Sequence, residues 1–144
     1  MGTAFDDEFA GLILKFSGSA GIHLTEKQAL LLSRHIRIML EWNSRLNLTR
    51  ITEPEEIIIK HLLDSILPAK FLPSSGYALD VGTGAGFPGI PLKIVYPDLH
   101  MLLLDSNRKK NQLSRRCGRE AGAERNPGFA GQVAGFPEGW RTTQ

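Results

Sequence analysis

The chain has 144 residues, room for one domain and a small appendage, and its 42% apolar and 22% charged residues are ordinary for a globular protein. A single cysteine, Cys117, excludes an internal disulfide. The four histidines (His23, His35, His61, His100) show no ligand spacing, so no metal site is expected. The net charge of +2 conceals an asymmetry: residues 1–105 carry nine Lys/Arg against twelve Asp/Glu, residues 106–144 eight against three. A basic back is compatible with RNA contact there.

The first residues have neither a basic n-region nor a small-residue cleavage site, and Asp6 breaks the myristoylation pattern. No apolar run approaches the ~20 residues of a membrane span. A cytoplasmic protein is expected, with no membrane partner.

Phe5, Phe9, Leu12, Ile13 and Phe16 recur at helical spacing and predict a first helix ending near Gly18. Thr25 with Gln28 forms a capping box opening a long helix, whose stripe includes Leu32, Ile36, Met39 and Leu40 and which ends within residues 43–47. Thr52 with Glu55 predicts a second capping box, Pro54 lying in the first turn, and a helix through Ile58, Leu62 and Ile66 to about Ala69. Residues 73–76 then mark the end of a helical front region, 1–75.

The period changes at Tyr77. Residues 77–81 form a short apolar run, glycines come at once after it, 88–95 is helix-like, and 99–104 is a second apolar run ending in Asp105. Strand, glycine turn, helix and strand make a βαβ unit, hence a parallel sheet with helices on its faces. Residues 106 to about 120 suit a basic helix. From Ser114 onward the only branched aliphatic residue is Val133 and glycine appears six times, so no buried parallel strand is expected there. Residues 113–144 therefore read as a divergent glycine-rich tail, attached to a sheet domain that begins in 76–112.

The stretch from Asp80 to Gly89, Asp-Val-Gly-Thr-Gly-Ala-Gly-Phe-Pro-Gly, carries the chemistry. Glycines between strand and helix let the backbone turn sharply and approach a ligand. From Gly84 the spacing also fits the dinucleotide fingerprint G-x-G-x-x-G. Asp80 discriminates: a carboxylate repels a pyrophosphate but attracts the ammonium and sulfonium of S-adenosylmethionine. Asp105, at the end of the next strand, is placed to accept bonds from ribose hydroxyls of either ligand. A P-loop fails because the glycines lead into no Gly-Lys-Ser/Thr. A ligand-free turn is the remaining alternative.

Several motifs in order resemble the bacterial 16S ribosomal RNA guanine-N7 methyltransferase family, also called glucose-inhibited division protein B. They are Trp42-Asn43 with Asn47-Leu48-Thr49, His61 with Asp64-Ser65, the run from Asp80 through Gly89 to Leu92, and Leu103-Leu104-Asp105-Ser106 leading to Lys109-Lys110. The resemblance covers roughly residues 25–112. It implies an α/β fold: a class I S-adenosylmethionine-dependent methyltransferase (Rossmann-like) sheet, here incomplete, with a helical N-terminal extension. It also implies S-adenosylmethionine as methyl donor, 16S ribosomal RNA or the small ribosomal subunit as partner, and a monomer. Gly82 and Phe87 match family positions that contact the donor, with Asp80, Gly84 and Asp105 around them. By ungapped register the adenine-contacting pair falls on Val133 and Ala134. The family prefers arginine, a small or branched residue, then glutamate, whereas this chain has Gln132-Val133-Ala134. No catalytic base is expected, because guanine N7 already offers a lone pair. His61 and Asp64, one helical turn apart, are candidates to face the site, with a helix-surface hydrogen bond as the plainer reading. A catalytically silent, truncated family member and a non-enzymatic RNA-binding module are the alternatives.

Overall fold

The computed structural model of the chain describes residues 3–120 and 129–133. Helix α1, Ala4–Ser19, starts at a capping box in which Thr3 and Asp6 serve each other's backbone N–H. Asp6 is also buried, and its Oδ1 accepts a bond from Arg37 Nε at 3.0 Å, tying α1 to α2. Although burial alone would raise the pKa of Asp6, bonds from Thr3 and Arg37 hold it below the usual carboxylate value. Asp6→Ala removes both the cap and the partner of a half-buried guanidinium. A loss of about 2 kcal/mol is expected in urea unfolding, and an unchanged midpoint would contradict this role.

Helix α2, Glu26–Leu46, begins at the expected Thr25–Gln28 capping box and ends at Asn47, which adopts the left-handed conformation at φ 47°. Leu32, Ile36, Ile38 and Met39 are buried along it. The Gln28 amide does a second job, donating from Nε2 to the carbonyls of Ile94 and Val95 at 3.3 Å each.

The expected capping box at Thr52 does not form. Glu53 is the N-cap and Pro54 opens the helix, without a side-chain cap bond. The residue before a proline is driven out of helical conformation, so Glu53 sits at φ −70°, ψ 131° and shifts the start by one position. The run continues as α3, Pro54–Ile57, a π-helical stretch, Ile58–Leu63, then α4, Asp64–Ile66, and a 3-10 segment, Leu67–Phe71. The widened turns still bury Ile57, Ile58, Leu62, Leu63 and Ile66.

Strand β1, Gly76–Val81, the seven-residue helix α5, Gly89–Val95, and β2, Leu99–Asp105, form the expected βαβ unit, with β1 and β2 parallel and Asp80 opposite Leu103. Lys93 is buried on α5 and donates to the carbonyls of Pro97 and Leu99, fastening the helix to the start of β2. Helix α6, Arg108–Glu120, runs through the expected boundary at 112 and buries Leu113 and Cys117. It packs on α2, and Arg116 reaches Glu41 at 3.4 Å.

Where no strand was expected, Phe129–Val133 forms β3, parallel to β2, with Met101 opposite Phe129 and Asp105 opposite Val133. The sheet order is β1-β2-β3. Pairing with β2 supplies what the local composition lacks, since strand formation depends on neighbours more than on intrinsic preference. This is a mixed arrangement of helices in front of a small parallel sheet, as expected for a Rossmann-like fold. Residues of α1, α2, the 54–71 run, α5, β2 and α6 share one hydrophobic cluster. Among the described residues, no helix is long and apolar enough to cross a membrane and no group of His, Cys, Asp and Glu could hold a metal ion.

Candidate functional site

The glycine loop leaves β1 at Val81 and enters α5 at Gly89. Gly82, Gly84 and Gly86 all have positive φ (76°, 57° and 95°), a backbone path that other residues adopt only with strain. A Cβ built on Gly82 or Gly84 meets nothing within 4 Å. At Gly86 and Gly89 it would overlap Ile90 or Leu103. The first half of the loop thus borders open space, and the second half is wedged into the core.

Two strand-end acids hold this path. Asp105 Oδ2 accepts the Gly84 N–H at 2.8 Å, while its Oδ1 accepts that of Asn107. Asp80 lies buried, its Oδ2 accepting the Gly89 N–H at 2.9 Å. Burial pushes its pKa up, the bond from Gly89 opposes the rise, and the charge of Asp105 adds to it. Both carboxylates, expected from sequence to meet a ligand, therefore also brace the turn. Gly82 and Thr83 donate to the Leu104 carbonyl at 2.7 and 3.0 Å, joining the loop to the end of β2.

The N-terminus of α5 offers little to a phosphate. Gly89 N–H is held by Asp80, Ile90 N–H by the Gly86 carbonyl, Pro91 has none, and Leu92 N–H is held by the Pro88 carbonyl. These are the first-turn donors that a pyrophosphate needs in a dinucleotide fold.

Phe87 points to a different neighbourhood from Gly82. Its half-buried ring stacks with His35 of α2 at 4.5 Å between centroids and with His61 of the π-helical stretch at 5.2 Å. His61 Nε2 lies 3.0 Å from Thr49 Oγ1, whose own backbone N–H donates to Asn43 Oδ1 at 2.9 Å. Trp42 is partly buried and packs against the core. Burial lowers the pKa of His61, and the charge of the exposed Asp64 raises it in part. The Asn43, Thr49 and His61 motif residues thus form a connected route to the loop.

His35 was not singled out from sequence. It is fully buried, and its Nε2 lies 2.7 Å from the Ala85 carbonyl. Its position three residues after Leu32 and one before Ile36, on the core stripe of α2, was the available signal. Of the remaining sequence candidates, Val133 ends β3 opposite Asp105, at the same end of the sheet as the loop. Ala134 lies outside the described residues.

The family model described as GidB, rRNA small subunit methyltransferase G, matches residues 28–122. A ribosomal RNA small subunit methyltransferase G 1 of Syntrophobacter fumaroxidans is 60% identical over 95 residues, which is 66% of this chain and 43% of that protein. Ribosomal RNA small subunit methyltransferase G of Alkaliphilus metalliredigens is 45% identical over 106 residues, 72% of this chain and 44% of that protein. The Salmonella agona protein of the same name is 41% identical over 118 residues, 82% and 56% of the two chains. The chain spans about half the length of the curated relatives it matches. With most of its length matched by the family model, and the glycine loop inside that match, the chain belongs to the GidB, rRNA small subunit methyltransferase G, family.

Proposed function

We propose that the loop from Asp80 to Gly89 binds S-adenosylmethionine, and that the protein's activity is N7-methylation of a guanine in 16S ribosomal RNA. The observation that carries the ligand reading is the pairing of two features. The first-turn donors of α5 are already taken by Asp80, Gly86 and Pro88. Meanwhile, Gly82 and Gly84 border open space, with the Asp105 carboxylate bonded to the Gly84 N–H at 2.8 Å. Such a surface suits a cationic ligand presenting hydroxyls, and suits a pyrophosphate poorly.

Gly82, Gly84, Asp80, Asp105 and Phe87 are the residues assigned to hold the donor, with Val133 and Ala134 assigned to its adenine by resemblance. When bound, S-adenosylmethionine supplies a methyl group on a positively charged sulfur. Guanine N7 has an in-plane lone pair that would accept this methyl group, the sulfur keeping the electrons of its bond to carbon. No proton leaves first, so the protein's task is alignment and exclusion of water. The exposed Lys109, Arg115 and Arg119 of α6 give RNA phosphates a basic face.

Calorimetric titration of the chain with S-adenosylhomocysteine, NAD and ATP tests the ligand. The sulfur compound is expected to bind and the other two are not. Gly82→Trp, which fills the open space and strains a left-handed residue, is expected to weaken it at least about a hundredfold, beyond the ~1–2 kcal/mol of backbone strain. Binding of NAD with exclusion of S-adenosylhomocysteine would end this reading.

A further inference from the structure

The loop carries three left-handed glycines within five residues, and such a segment keeps its path only if neighbours hold it. Strand-end groups hold its N–H side through Asp105, Asp80 and the Leu104 carbonyl. The carbonyl of Ala85, between Gly84 and Gly86, is met instead by α2. A carbonyl only accepts, so His35 Nε2 must carry the proton and donate to it across 2.7 Å. Its Nδ1 is then a buried lone pair that finds no hydrogen-bond partner among the described residues. The same ring stacks on Phe87 at 4.5 Å and 26°. A Cβ on Gly86 would lie 3.4 Å from His35 Nε2, so the loop backbone runs directly beside the ring.

We propose that His35 is a positioning residue for the donor site: by its bond to the Ala85 carbonyl and its ring against Phe87, the front helix α2 sets the loop in its binding geometry. This rests on the donor-binding reading given above. A buried imidazole here is neutral at physiological pH, burial having lowered its pKa to about 4, so the bond persists with a fixed tautomer. Two features mark the position as more than core filling. The side chain leaves one ring nitrogen unsatisfied, which an apolar residue of like volume would avoid. Its bonded partner lies 50 residues away, in the centre of the glycine turn.

The test uses the full chain and two variants, each first shown to be folded by circular dichroism. His35→Gln keeps an N–H at similar reach, and His35→Leu keeps apolar volume without a donor. Amide hydrogen exchange across residues 82–89 and the affinity for S-adenosylhomocysteine are measured together. In His35→Leu the loop amides are expected to exchange about tenfold faster and the ligand to bind about tenfold more weakly, with β2 amides unchanged; His35→Gln restores both to within about threefold. Wild-type loop exchange and affinity in His35→Leu would overturn the proposal, as would equal impairment in both variants. Should the wild type bind no S-adenosylhomocysteine, the functional reading fails, and the exchange pattern still decides the role of His35. Should His35→Leu not fold, the nitrogen-15 shifts of the wild-type ring decide: an Nε2–H tautomer supports the proposal, and an Nδ1–H tautomer refutes it.

Discussion

Acidification from about pH 7 to about pH 4 is expected to remove about 3 kcal/mol of folding stability through His35 alone. The imidazole is buried, and its pKa falls from the ordinary 6.5 to about 4. The unfolded chain takes up a proton below 6.5, whereas the folded chain resists until about 4. The contribution is therefore complete above 6.5 and is lost as the pH falls through that window. His61, lowered by burial in the same sense, adds to the loss. Asp80 opposes it, because burial raises its pKa and the folded state then takes up a proton more readily than the unfolded chain as the pH falls. Domains of this size hold about 5–15 kcal/mol in all, so the effect is visible as a shifted urea midpoint. His35→Gln, which cannot titrate, should flatten the curve between pH 6.5 and 4. An identical slope in wild type and variant would refute the assignment to His35.

Gly89→Val is expected to cost about 3 kcal/mol, the upper range for forced insertion into a packed core. A side chain at this position would overlap Leu103, which is itself buried in β2, and would lie 2.9 Å from Asp80 Oδ2. Leu103 is held in the core, and Asp80 cannot move without abandoning the Gly89 N–H. The loop, β1 and β2 are thus disturbed together, so the ligand affinity falls with the stability. Thermal unfolding and S-adenosylhomocysteine titration of the same sample check both. A Gly89→Val protein with wild-type stability would show that the close approach at this point is not needed.

Local chemistry was the legible part of this sequence. The Thr25–Gln28 capping box is satisfied within four residues, and the βαβ unit announces itself by a change of period at Tyr77. The Thr52 cap failed because the constraint of Pro54 on its neighbour outweighs a side-chain preference. Strand β3 was illegible because its pairing with Met101–Asp105 is made across a helix, and its own composition carries no strand pattern. The roles of Asp80 and Asp105 were half legible. Their position at strand ends was plain, but their bonds to Gly89 and Gly84 depend on how the turn closes. His35 is the extreme case, a residue on a helical stripe whose partner is set by tertiary folding.

The two bonds from the Gln28 amide to the last carbonyls of α5 bear on how this architecture can be divided. A polypeptide beginning at Gly76 would leave those carbonyls without their donor and the inner side of α5 without α2. The glycine turn is consequently no portable cassette, transferable by grafting sheet and helix alone onto another scaffold. It is the meeting point of the front helices and the sheet, which share one hydrophobic cluster.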